Sequence, residues 1–194
     1  MKKLPLLTLL FLVGCNASTE NTPKPQPTLT QIEKTPELIQ ELKAQPTVDA
    51  QFGVLYKKFE PLLDRSDSLT GTDKNKNGIR DDIEAFIDAL EVAEPVRSVL
   101  KQNAHYSQEN LYHDWSAKTD ANIEKAMVIG NKYSKVIACK KFLGMDVDDG
   151  INTGRTIRAL TYNTKARTMA YLAYSHLQDG AVRTSLKAEA KYCE

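Results

Sequence analysis

The 194-residue chain is poor in the side chains that most often carry chemistry: three histidines, three cysteines and one tryptophan. It also lacks a charge excess of either sign, with 26 Lys and Arg against 25 Asp and Glu. Nucleic-acid binding rests on a clustered surplus of basic residues. The nearest thing to one is Lys125, Lys132, Lys135, Lys140 and Lys141, which reads as the solvated face of a helix. No nucleic-acid partner is therefore expected. His105 and His113 are too far apart for the i, i+4 pair of a helical zinc site, and no cysteine stands at ligand spacing to either. A Gly-x-Ser-x-Gly elbow, a phosphate loop and a dinucleotide glycine motif are all missing. Strand-like alternation is nearly absent, no repeat is evident, and no apolar run reaches the roughly 20 residues of a bilayer-spanning helix. No residue is assigned a catalytic role.

What is present begins at the N-terminus. Met1-Lys2-Lys3, the mostly apolar Leu4 to Val13, and Gly14-Cys15 have the anatomy of a secretory signal. The tetrapeptide Leu12-Val13-Gly14-Cys15 resembles the lipobox of bacterial lipoproteins. That resemblance implies a diacylglycerol on the Cys15 sulfur, cleavage between Gly14 and Cys15, and a palmitate-type anchor in a lipid bilayer. One acyl chain binds only marginally, whereas two or more hold a protein stably. Asn16 follows the cysteine where the enteric retention signal has aspartate. By that analogy the chain belongs to the cell envelope, with the outer membrane, facing periplasm or cell surface, favoured over the inner.

The organisation that follows is a signal peptide over 1–14, a lipidated cysteine and tether over 15–46, and a helical envelope domain over 47–194. The tether is rich in Thr, Pro, Gln, Asn and Glu and buries too little apolar surface to offset its ordering entropy. A short helix near Glu37–Ala44 is the one element expected in it. With Cys15 acylated, Cys139 and Cys193 remain in a compartment that permits disulfides. A bridge between them would close a loop of about 55 residues, worth roughly 4 kcal/mol, and pin the chain end to a central helix. The alternative is two free thiols.

Apolar residues recur at helical spacing through the rest. Val48, Phe52, Leu55, Phe59 and Leu62 form one stripe, and Pro61 stops it. A second helix starts at Ile79 and carries Ile83, Phe86, Ile87 and Leu90 inward. Glu94-Pro95 opens a third, burying Val96, Val99, Leu100, Leu111, Tyr112 and Trp115, with a break near Ser107. A fourth runs from Asp120 to Leu143, with Ile123, Met127, Tyr133, Val136, Ile137 and Phe142 inward, and Gly144 ends it. Asp146, Asp148 and Asp149 make an acidic turn, and Gly150 and Gly154 mark a connection. The last long helix is expected over Gly154–Gln178, with Ile157, Leu160, Met169, Leu172 and Leu177 in the core, followed by a short helix over Thr184–Lys191. The fold class is all-α, an irregular bundle of about four to six helices with one calcium-type loop preceding a helix.

That loop spans Asp73 to Glu84. Oxygen side chains fall at positions 1, 3, 5, 9 and 12, and a glycine at position 6, matching the D-x-[DN]-x-[DN]-G-x5-E pattern. A hard cation takes six to eight oxygens at about 2.3–2.6 Å, so the chain must coil tightly around it. Gly78 permits the turn. Asp73, Asn75 and Asn77 supply side-chain oxygens, Ile79 its carbonyl, Asp81 a direct or water-mediated ligand, and Glu84 both carboxylate oxygens. The segment resembles solitary calcium loops of the dockerin and thrombospondin-repeat kind more than a paired EF-hand, because position 8 is Arg80 and no second loop exists. Two neutral Asn ligands predict affinity nearer the roughly 0.1–1 mM of extracellular modules. The competing reading is an Asn-Gly turn running into an acidic helix start.

A last polar and aromatic stretch, with Tyr162, Asn163, Arg167, Tyr171 and Tyr174, is a candidate face for an envelope protein or glycan, against simple packing with hydroxyls reaching water. The expected function is a membrane-anchored calcium-binding helical module with a binding or structural role at the envelope. The alternative is an envelope hydrolase whose site assembles only in three dimensions.

Overall fold

Threonine and aspartate start most of the helices. In the computed structural model, which describes residues 29–194, the Thr35 hydroxyl accepts the Leu38 N–H at the start of α1 (Pro36–Lys43). Thr47 does the same for Ala50 in α2 (Val48–Phe59). α3 (Asp81–Ala89) has no side-chain cap but places Asp81, Asp82 and Glu84 in its first turn, where the helix dipole favours negative charge. α4 (Glu94–Glu109) opens on Pro95. Thr119 caps α5 (Asp120–Phe142), Asp146 caps α6 (Val147–Thr161) and Thr164 caps α7 (Lys165–His176). Each such cap satisfies an N–H that the helix itself leaves unpaired. Short 3-10 turns cover Glu60–Leu62, Asn110–Tyr112 and Ala190–Tyr192.

The described residues are thus all-helical and contain no strand. α4 is the central element, packed against α3, α5 and α6. Phe52 and Leu55 of α2, Ile83, Phe86 and Ile87 of α3, Leu100 of α4 and Ile157 of α6 form the main core. A second cluster joins Trp115 and Ile129 to Tyr174 and Leu177. The third lies around Val99, Tyr106, Val136 and Cys139. There the Cys139 and Cys193 sulfurs stand at bonding distance, 2.04 Å apart. The chain end is also held by Gln102, which donates to the Tyr192 carbonyl, and by Tyr106, which donates to the Glu194 carboxylate. No helix among the described residues is long and apolar enough to cross a membrane.

Several expectations need correction. Residues 29–46 are not a free tether, because Leu29, Ile32, Leu38 and Leu42 are buried in the main core. The packed body reaches back at least to Leu29, and α1 is part of it. The helix expected over Gly154–Gln178 is two helices, α6 and α7, because Thr164 caps a new start. Gly150 and Gly154 lie inside α6 and do not mark a connection. The helix expected from Ile79 begins at Asp81, and 184–191 form no α-helix. Leu62, Tyr112, Ile137, Phe142, Met169 and Leu172, all expected inside, are exposed. Lys140, expected in solvent, is buried. The acidic turn is a pair of caps: Asp146 serves α6, and the Asp149 carboxylate accepts the Val48 and Asp49 N–H groups at the start of α2.

Candidate functional site

The 73–84 segment winds as its composition demands. The Asp73 carboxylate accepts the N–H groups of Asn77 (3.2 Å) and Gly78 (2.9 Å). Asn75 accepts from Asn77 and Asn77 from Ile79, so successive side-chain oxygens turn the backbone inward. Gly78 has φ +79°, and Lys76 at φ +58° is the one non-glycine residue in the left-handed region among those described. A side chain at Gly78 would also strike the His105 ring at 2.7 Å. That position therefore needs glycine for two reasons, conformational and steric.

Glu84, in the first turn of α3, faces back into the loop. Its two carboxylate oxygens accept the Asn75 and Asn77 side-chain amides at 2.8 and 2.9 Å, and the Lys101 ammonium sits 2.9 Å away. Burial works against its charge, yet the hydrogen bonds from Lys101, Asn75 and Asn77 hold it below the ordinary glutamate range. Asp81 is 7% exposed, with one carboxylate oxygen accepting the Lys74 N–H. Its other oxygen is buried with no hydrogen-bond partner. Among the described residues no three Asp, Glu, His or Cys side chains are gathered about one point as metal ligands. The convergent set here is mixed, two amides and a carboxylate, beside the orphaned Asp81 oxygen. The Asn75 and Asn77 amide oxygens are turned to the backbone N–H groups of Asn77 and Ile79, so their nitrogens face Glu84.

Beneath the loop lies a chain of buried ion pairs that sequence reasoning missed. Arg80, which appeared only as a misfit at position 8, is fully buried. It grips the Asp82 carboxylate with two nitrogens (2.6 and 3.0 Å) and donates to the Leu160 and Thr161 carbonyls at the end of α6. The Asp82 carboxylate also accepts the Asp64 N–H, at 2.8 Å, and the Ile83 N–H, at 2.9 Å. Asp64 in turn accepts from Ser66, Thr72 and Arg167. These bonds outweigh burial and hold its carboxyl well below the usual range. Arg167, also fully buried, donates to the carbonyls of Ser68 and Leu69 and to the Asn163 side chain. The loop is thereby pinned to the α6–α7 junction.

That network divides the five residues proposed as a binding face. Asn163 and Arg167 are structural, both bonded into the 64–69 strand of chain. Tyr162, Tyr171 and Tyr174 do share a cleft, together with Tyr106 and Tyr133, with a volume of about 360 Å³. Tyr162 is itself a tie, donating to the Ser107 carbonyl and accepting from Asn110, both at 2.6 Å. Burial pushes its phenol pKa upward, and its ring stacks on Tyr171 at 4.4 Å.

Cys15 and the lipobox lie outside the described residues. Comparison with protein-family models, with characterised proteins and with solved structures finds no match to this chain. Function is therefore argued from the chain's own geometry.

Proposed function

We propose that the protein is a calcium-binding helical module carried on a lipid anchor at Cys15, with a binding or structural role at the cell envelope. The observation behind this reading is the buried, unpartnered carboxylate oxygen of Asp81 within a loop wound by Asp73, Asn75, Asn77 and Gly78 and closed by Glu84. A buried polar atom without a partner is costly in an otherwise satisfied fold, and a cation held by that loop would satisfy it. Asp73, Asn75, Asn77, Asp81 and Glu84 would hold the ion with side-chain oxygens, and Ile79 with its carbonyl. The ion supplies charge neutralisation and cross-linking, so its role is to fasten the 64–84 segment to α3. The tyrosine cleft would then offer an envelope glycan or protein its seat.

A hydrolase would want a carboxyl held upward in pKa beside His105 or His113. Glu37, Asp64, Glu84, Glu91 and Asp114 are instead held downward, chiefly by the hydrogen bonds they accept.

The test is thermal unfolding of the purified protein with calcium, with magnesium and with chelator. At calcium about tenfold above its Kd the expected stabilisation is about 1.4 kcal/mol, a rise in melting temperature of about 3–6 °C. Glu84→Gln should abolish the calcium-dependent rise. Identical melting in calcium and chelator refutes the reading.

A further inference from the structure

A second feature lies on the opposite side of α4, where three polar side chains converge on Gly154 of α6. A methyl group at Gly154 would come within 2.8 Å of the Tyr133 hydroxyl, 3.7 Å of the Lys140 ammonium and 3.8 Å of the Asn103 carbonyl oxygen. Asn103 is completely buried, and neither its oxygen nor its nitrogen has a hydrogen-bond partner. Lys140 is also buried; it donates to the Gly150 carbonyl (2.8 Å) and the Thr153 hydroxyl (3.1 Å). No carboxylate among the described residues lies within ion-pair distance of its ammonium. The Arg158 guanidinium, 5.7 Å over the Tyr133 ring, makes no ion pair with a described residue either.

Two cations thus stand close enough to repel each other beside an amide that nothing satisfies. Desolvation, with a further contribution from Arg158, brings the Lys140 pKa down to about 8, against the opposing pull of Asp149. Such an arrangement is unfavourable as it stands, and an anion between Lys140 and Arg158 would relieve the two cations.

The cluster opens to the surface. Lys140, Arg158 and Tyr133 line a cavity of about 320 Å³, with the exposed Lys141 at its edge and Ile137, Met145, Val147 and Ile151 as apolar walls. Ile137, Val147 and Ile151 are exposed although apolar. One carboxylate, Asp146, stands at this rim, and one of its oxygens is occupied by the Asp149 N–H. The volume falls at the small end of ligand pockets, which run from about 300 to 1,000 Å³. A polar, cationic floor under apolar walls suits a ligand of matching polarity.

We propose that this cavity binds a small aliphatic carboxylate, its anionic head on Lys140 and Arg158 and its hydrocarbon against Ile137, Met145, Val147 and Ile151. The head is held by charge-assisted hydrogen bonds and the tail by burial of apolar surface.

The probe is sodium octanoate, with 1-octanol as a tail of equal length without the charge. Both are titrated into the intact protein and followed by NMR of the isoleucine and methionine methyl groups. Saturable shifts at Ile137, Met145 and Ile151 with octanoate, at least about tenfold weaker with octanol, are expected. Lys140→Met and Arg158→Met should each weaken octanoate by a similar factor while the helical circular dichroism is kept. Lys140→Met removes a charge that has no partner, so it should fold; should it not, Arg158→Met carries the same readout. Octanoate binding that survives both substitutions, equal binding of octanol, or no saturable binding overturns the proposal.

Discussion

Arg80, Arg167 and Lys140 are the basic residues buried in this fold, and they are not equivalent. Each arginine has a carboxylate within reach, Asp82 and Asp64 respectively, and carbonyls for its remaining donors. Removing one member of such a pair leaves the other charge buried alone, at a cost of about 3–5 kcal/mol. Arg80→Met should lower stability in urea by that amount, whereas exposed Lys191→Met should change it by less than about 0.5 kcal/mol. Lys140 behaves oppositely. Its pKa is about 8 when folded, against an ordinary 10.5, through burial and the proximity of Arg158 from α6, partly offset by Asp149. The unfolded chain therefore holds more protons between those values, and stability should rise as pH increases from about 8 to about 10.5. The gain is on the order of 3 kcal/mol, from 1.36 kcal/mol per unit. Lys140→Met should be more stable than the parent at pH 7 and should lack this rise, which urea unfolding at several pH values would show. Burial of this lysine was not legible from sequence. Its helix-mates Lys132, Lys135 and Lys141 remain at or near the surface, and nothing local distinguishes the one that turns inward.

At the scale of elements, period was readable and phase was not. α2, α4 and α5 fall where apolar spacing and, for α4, Glu94-Pro95 placed them; the caps Thr47 and Thr119 were signals left unused. α7 has the right period, but its inward positions are Arg167, Tyr171 and Tyr174 while Met169 and Leu172 face out. The break at Tyr162–Thr164 resets the phase relative to α6, and no Gly or Pro announces it; Asn163-Thr164 as a capping pair was the available signal. Once Arg167 is committed to the 64–69 carbonyls, the helix must turn its methionine and leucine away. The loop from Asp73 to Glu84 was legible as a motif, since its spacing is local, whereas the Arg80–Asp82–Asp64–Arg167 chain joins residues up to 103 positions apart. The cysteine pair was legible although its sulfurs meet across 54 positions, because a lipid on Cys15 leaves Cys139 and Cys193 as the two remaining cysteines. Replacing both Cys139 and Cys193 by alanine should cost about 2–5 kcal/mol. The loss should appear as a lower urea midpoint and as faster amide exchange over 190–194, where Gln102 and Tyr106 alone would hold the strap.

The whole molecule is larger than a domain starting at Thr47, and this bears on the anchor. Leu29 bonds through its N–H to the Leu62 carbonyl, Lys34 pairs with Glu91, and Leu38 and Leu42 of α1 are buried with Leu29 and Ile32. Composition hid this, since four well-spaced apolar residues among many polar ones are enough to dock a segment that could not fold alone. Full burial of a leucine or isoleucine is worth about 1.5–3 kcal/mol. Deleting 29–46 removes those four buried side chains and bares the core beneath them. A chain beginning at Thr47 should lose at least about 4 kcal/mol relative to one beginning at Leu29, or fail to fold, on a scale where whole domains have only about 5–15 kcal/mol. Equal stability of the Thr47 and Leu29 chains would restore the longer tether. With the packed body reaching back at least to Leu29, no more than residues 16–28 would lie between the proposed lipid on Cys15 and that body, at most about 45 Å of fully extended chain. The proposed calcium loop and both cavities would then be held within a short distance of the bilayer surface.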